Sequence, residues 1–174
     1  MRPRREAREK AVQFLFQHDL NPPSHLEEAL ERFWHSQGTA QTAVAPPQAT
    51  ETTPPPETPS PEIEAPTIQQ SSVRLFADPL IGGVLEHRET IDELIKKHAR
   101  NWDINRMAVV DRNVLRLAIF EMLHRDDIPP VVSINEAVDI SKRFSTEDSG
   151  RFVNGILDRI KQDLMRPART AKPE

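Results

Sequence analysis

Residues 114–123 read Val114-Leu115-Arg116-Leu117-Ala118-Ile119-Phe120-Glu121-Met122-Leu123, and this stretch decides the fold. It is apolar on most sides of a helical wheel, the pattern of a buried helix with neighbours all round. Arg116 and Glu121 interrupt it, and the run is too short to span a bilayer. The spacing predicts a central helix over about Met107 to His124. Downstream, Ile128-Pro129-Pro130 separates it from a helix carrying Ala137, Val138, Ile140 and Phe144, with Ser133 and Glu136 placed as a capping box. A last helix is predicted from Thr146 to Leu164. Its stripe is Val153, Ile156, Leu157, Ile160 and Leu164, and Glu147 and Asp148 stand at its positive dipole end.

Upstream the same periodicity continues. Ala7, Ala11, Phe14, Leu15 and His18 place a helix over Pro3 to His18. Ser24 and Glu27 have capping-box spacing ahead of Leu26, Leu30, Phe33 and Trp34. A third segment covers Val73 to Ala99 with Leu80, Val84, Ile91, Leu94 and Ile95 on its stripe; Asp78-Pro79 reads as a cap and first-turn proline that restarts the helix there. No alternating strand pattern of useful length appears. The expectation is an all-α protein, a six-helix bundle or a pair of small bundles.

Residues 37–70 break the pattern. They hold half of the 16 prolines, four glutamates and no Lys or Arg. This composition offers little apolar surface against the entropy of ordering, so it reads as a disordered proline-rich insertion, either a solvated spacer or a recognition ligand. The expected domain is then 1–36 with 71–166, one all-helical unit, followed by a flexible basic tail over 167–174.

The chain has 174 residues, a formal net charge of −4 and no cysteine, which excludes disulfides, thiolate zinc sites and cysteine nucleophiles. Without a continuous apolar leader near the N-terminus, the expected location is cytoplasmic. The six histidines show no metal-ligand spacing. Gly82-Gly83 lacks the strand and the Lys of a phosphate loop and reads as a close helix approach. No residue set has the makings of a catalytic centre, so the chain reads as a binding protein and no cofactor is expected. Arg4, Arg5 and Arg8 share a helix face at the start of the first helix. Guanidiniums in that arrangement suit phosphate oxygens. They equally suit a solvated helix start with Arg5 paired to Glu9, and both readings stand.

Four stretches carry a resemblance: Arg4 to Gln13, Asp111-Arg112-Asn113-Val114-Leu115-Arg116-Leu117-Ala118, Ile134-Asn135-Glu136-Ala137, and Glu147 to Asp158. In this order and spacing they resemble the NusB family of transcription antitermination proteins, over the whole chain apart from residues 37–70. The resemblance implies two three-helix halves and no enzyme activity. It implies a partner, NusE, which doubles as a small-subunit ribosomal protein. It also implies joint binding of boxA-type single-stranded RNA in ribosomal leader transcripts, within an antitermination complex with RNA polymerase. A homodimer is the alternative state of the free chain.

By position, the RNA-binding residues would be Arg4, Arg5, Arg8, Asp148, Arg151 and Phe152, with Asp148 as a helix cap and Phe152 as either a stacking ring or a core residue. The partner-binding residues would be Phe16, Asp111, Arg116, Phe120 and Glu121, each with an internal or solvated role as the alternative. The chain departs from the family in having no Tyr, with Phe at 16 and 120, Glu6 inside the arginine run, and Ser145 where Gly is frequent. Two other classes compete. One is the helical regulatory domain of RNA cytosine methyltransferases, disfavoured by the missing cysteine and by the chain's end at Glu174. The other is a non-catalytic adaptor that uses the insertion.

Overall fold

In a computed structural model, residues 2–39, 68–100 and 102–165 are described. They form seven α-helices: α1 (Pro3–Leu20), α2 (Leu26–Thr39), α3 (Ile68–Glu86), α4 (Arg88–His98), α5 (Val109–His124), α6 (Pro130–Phe144) and α7 (Glu147–Leu164). A 3₁₀ turn over Ile104–Arg106 leads into α5, capped by the Asp103 carboxylate accepting from the Asn105 N–H at 2.9 Å. Helices α2 and α3 extend to Thr39 and back to Ile68, so the expected insertion loses both its ends to helix. Its remainder, like the basic tail, lies outside the described residues.

The central-helix expectation holds. α5 packs against α1, α3, α4, α6 and α7. Val114, Leu115, Leu117, Ala118, Ile119 and Phe120 all lie buried along it. One continuous core runs from Ala7, Phe14 and Leu15 of α1 through Leu80, Ile81 and Val84 of α3 to Val153, Ile156 and Ile160 of α7. Helix α2 is tied to its neighbours by the Phe14–Phe33 edge-to-face pair at 5.4 Å and by the Trp34 indole N–H donating to Asp78 at 2.7 Å.

Several local expectations need correction. The third segment divides into α3 and α4, and the break falls at His87 instead of Pro79. Pro79 lies inside α3 on its exposed side. The carbonyl of Leu75, which loses its donor to Pro79, belongs to the same exposed face, open to solvent. Ser133 does not cap α6, because Pro130 already opens the helix and the Ser133 hydroxyl donates to Glu121 at 2.6 Å. His25, one residue past Ser24, precedes α2. Asp148 does not cap α7: Thr146 does, its side-chain oxygen accepting from the Ser149 N–H at 3.1 Å. Ser145 sits at φ −130°, outside the left-handed region, so the frequent glycine is dispensable there. The glycine pair splits in role. A Cβ on Gly83 would run into the Phe120 ring, whereas one on Gly82 would meet nothing. Gly83 is the close approach of α3 to α5.

Candidate nucleic-acid interface

Arg4, Arg5 and Arg8 lie on one helix but in three different environments. Arg8 is buried, with 5% of its side chain exposed; its Nε donates to Glu121 Oε1 at 2.7 Å, and Glu121 is 1% exposed. Glu121 also accepts from Ser133, so each of its carboxylate oxygens has an internal donor. Arg5 is partly exposed and bridges to α6: Nε and Nη2 donate to Glu136 at 2.9 and 3.0 Å, and Nη2 to Asp139 at 2.6 Å. Donating to Glu136 raises the pKa of this guanidinium above its ordinary value. The expected Arg5–Glu9 pair does not form, because Glu9 turns to Arg143 on α6 at 2.7 Å. Arg4 is exposed and makes no ion pair among the described residues; its guanidinium lies 5.3 Å from the centre of the Phe76 ring. Arg8 and Arg125 stand at 5.4 and 5.1 Å from the same ring. Neither Phe76 nor Arg125 was singled out by the sequence, because the one falls within an ordinary apolar stripe and the other in a turn.

A groove of about 320 Å³ opens between α1 and α6, lined by Arg2, Arg5, Glu9, Glu136, Asp139, Ile140 and Arg143. Its cations and carboxylates balance in number, so it carries no net attraction for phosphate. Exposed guanidiniums lie instead at Arg4 and, past the end of α6, at Arg151. The Arg151 side chain is 82% exposed, and its single ion pair is a 3.5 Å contact to the still more exposed Asp148. An exposed pair of this kind contributes little and is readily exchanged for another anion. Phe152, one residue on, is half-buried and leans edge-to-face on Trp102 at 5.6 Å. Phe152 thus lies at the margin of the core, packed on it from one side. Trp102 was missed by the sequence reading because a single aromatic in a turn has no periodicity.

The partner-binding set spreads over two ends of the molecule. Phe16 is half-buried near the end of α1, and Asp111 opens α5 with Oδ1 buried and without a hydrogen-bond partner among the described residues. These two regions are joined through Asp19. Its carboxylate accepts from Arg88 at 2.8 Å, Arg112 at 2.6 Å, Arg116 at 3.0 Å and Asn113 at 3.3 Å. Burial alone would push the Asp19 carboxyl up; the surrounding guanidiniums outweigh it and hold it below the usual carboxylate range. Arg116 is buried and also grips Asp92 at 2.7 and 2.9 Å. Phe120 and Glu121 belong to the opposite end of α5. There Phe120 stacks on His124 at 5.0 Å and meets His87 at a tilt at 5.8 Å. Arg116, Phe120 and Glu121 are therefore internal, Asp111 is buried as well, and of the five Phe16 alone remains half-exposed. Among the described residues no group of His, Asp and Glu could hold a metal ion, and no helix is long and apolar enough to cross a membrane.

Comparisons with known proteins agree with one another. The NusB family model matches residues 58–162. The transcription antitermination protein NusB of Thermodesulfovibrio yellowstonii is 37% identical, with 92% of each chain covered. The solved structure of T. maritima NusB is 36% identical with a TM-score of 0.65, covering 92% of this chain and 91% of that one. The same fold, at 24% identity and a TM-score of 0.68, occurs in a crystal structure of antitermination factors NusB and NusE with dsRNA; 94% of this chain and 98% of that one are covered. The matched relatives are themselves antitermination proteins, which does not favour a methyltransferase regulatory domain or an insertion-borne adaptor. With its all-helical fold, its match to the family model and its likeness to NusB along nearly its full length, the chain belongs to the NusB family of transcription antitermination proteins.

Proposed function

We propose that the protein acts as a transcription antitermination factor that binds boxA-type single-stranded RNA together with a NusE-type ribosomal protein, and so lets RNA polymerase read through terminators in ribosomal RNA operons. The work is that of a non-catalytic cytoplasmic docking platform. The observation that carries the reading is a pair of exposed guanidiniums, Arg4 without an ion pair among the described residues and Arg151 held only by the exposed Asp148, within a family whose solved members include one crystallised with NusE and RNA. Arg4 and Arg151 hold backbone phosphates. Arg5 joins them when a phosphate competes with Glu136 and Asp139. Arg8 acts through Glu121 by fixing the start of α1, and Asp148 restrains Arg151 until RNA displaces it. On the partner side, Phe16 and Asp111 supply an apolar contact and a waiting acceptor, positioned by Arg116 through Asp19. Phe120 and Glu121 support that face from within the bundle.

The decisive experiment is a titration of boxA RNA and a scrambled strand of equal length, each with and without the cognate NusE-type protein. Tight binding of boxA alone, and only with the partner present, is expected. Equal affinity for both strands, indifferent to the partner, overturns the proposal.

A further inference from the structure

We propose that Trp102, an exposed indole in the turn between α4 and α5, is the stacking platform for one RNA base, with Phe152 as its buttress. The inference rests on the RNA-binding reading above and deepens it. Trp102 leaves 58% of its surface in solvent, whereas Trp34, the other Trp of the chain, is half-buried and spends its indole N–H on Asp78. Leaving so large an aromatic surface in water is unfavourable unless something covers it. The indole is not loose: its backbone N–H donates to the Ala99 carbonyl at 3.2 Å, and Phe152 meets it at an interplanar angle of 62°. Phe152 in turn packs on the bundle core. An indole propped on one edge by Phe152 leaves its flat surface open to a planar ligand.

The charge around this ring selects the occupant. Arg151 follows the first turn of α7, directly before Phe152, and Arg100 and Arg106 are exposed on either side of Trp102 in the chain. A flat π-system with exposed arginines close in the chain, Arg151 among them held only by a loose pair to Asp148, matches a nucleotide, with base on indole and phosphate on arginine. An apolar helix from a partner protein would bury those cations without pairing them. The geometry also divides labour between two rings that sequence position alone does not separate: the half-buried Phe152 props, and the exposed Trp102 stacks.

The test uses the chain labelled with ¹⁵N and bound to its unlabelled NusE-type partner. Its two indole N–H signals are followed while dye-labelled boxA RNA is added and binding is read independently by anisotropy. Expected is a shift of the Trp102 signal, a stationary Trp34 signal, and no Trp102 shift from a strand whose bases are removed but whose phosphates remain. Binding with Trp102 unmoved, with both indoles moving alike, or with an equal shift from the abasic strand overturns the platform while leaving RNA binding in place. Absence of binding by anisotropy overturns both. As a second measurement, Trp102→Ala weakens boxA binding about tenfold without changing its salt dependence, and Trp102→Phe restores most of it. Unchanged affinity in a folded Trp102→Ala protein refutes the assignment, and if that variant fails to fold, the indole signals of the intact chain decide.

Discussion

Arg4 and Arg8 stand one helical turn apart and point along the same face, yet one is exposed to solvent and the other is sealed in the bundle. The difference lies in what each guanidinium meets. Arg8 reaches α5, where Glu121 waits in an apolar wall that includes Val114, Leu117 and Ala137. Arg4, nearer the start of α1, finds the Phe76 ring at the edge of the fold and, at longer range, the charge of Asp127. Identical chemistry thus does two tasks, holding α1 to α5 in one case and offering charge in the other. The carboxylate partner, not the arginine, decides which.

The sharpest way to break this contrast is to remove Glu121. Glu121→Ala leaves Arg8 buried and unpaired and should destabilise the fold by about 3–5 kcal/mol, read by urea denaturation. Arg8→Met combined with Glu121→Leu should recover most of that loss, because a buried ion pair can be replaced by apolar packing of similar volume. A Glu121→Ala protein as stable as the parent would mean that Arg8 is not the internal member of the pair. The Gly83→Ala change probes the same α5 wall from the other side. Its Cβ would overlap the Phe120 ring, and a cost of about 1–3 kcal/mol is expected from the same measurement.

Asp19 extends the contrast to pH. Its folded pKa lies below the unfolded value, so its contribution is present above the unfolded pKa and is lost as pH falls through the folded one. Acid unfolding curves of the parent and of Asp19→Asn should therefore separate at neutral pH and converge in strong acid. Curves that stay parallel throughout would place the stabilising charge elsewhere.

The two arginine populations also mark the limit of what the sequence made legible. Periodicity located the central helix, the proline boundary before α6 and the start of α7 at Thr146, since these depend on neighbours within a few residues. It misplaced the α3–α4 break because a proline on an exposed helix face is tolerated, a fact of burial that the local pattern does not contain. The fate of the arginines was hidden for a related reason. Arg8 meets a carboxylate 113 positions away and Arg5 one 131 positions away, and no spacing rule reaches that far. Glu9, adjacent in sequence and a natural partner for Arg5 on a helix, was drawn off by Arg143. Asp19 and Asp92, which organise the other end of the bundle, carried no signal at all until α1, α4 and α5 came together.

The gentlest changes sharpen the comparison most cleanly, because they touch charge without touching the fold. Arg4→Ala and Arg151→Ala should alter stability by less than about 0.5 kcal/mol. Each should nevertheless reduce the slope of log K against log salt for boxA RNA by about one unit. Arg8→Ala makes the opposite pairing: a large loss of stability and, in whatever fraction remains folded, an unchanged slope. Arg5 falls between them, since a phosphate must displace Glu136 and Asp139 before it can be bound. Glu136→Gln with Asp139→Asn should free that guanidinium and steepen the salt slope by about one unit. The stability cost should be small, because partly exposed ion pairs contribute about 0–1 kcal/mol. If the slope stays where it was, Arg5 serves only to clamp α1 onto α6, and the phosphate-binding surface narrows to Arg4 and Arg151.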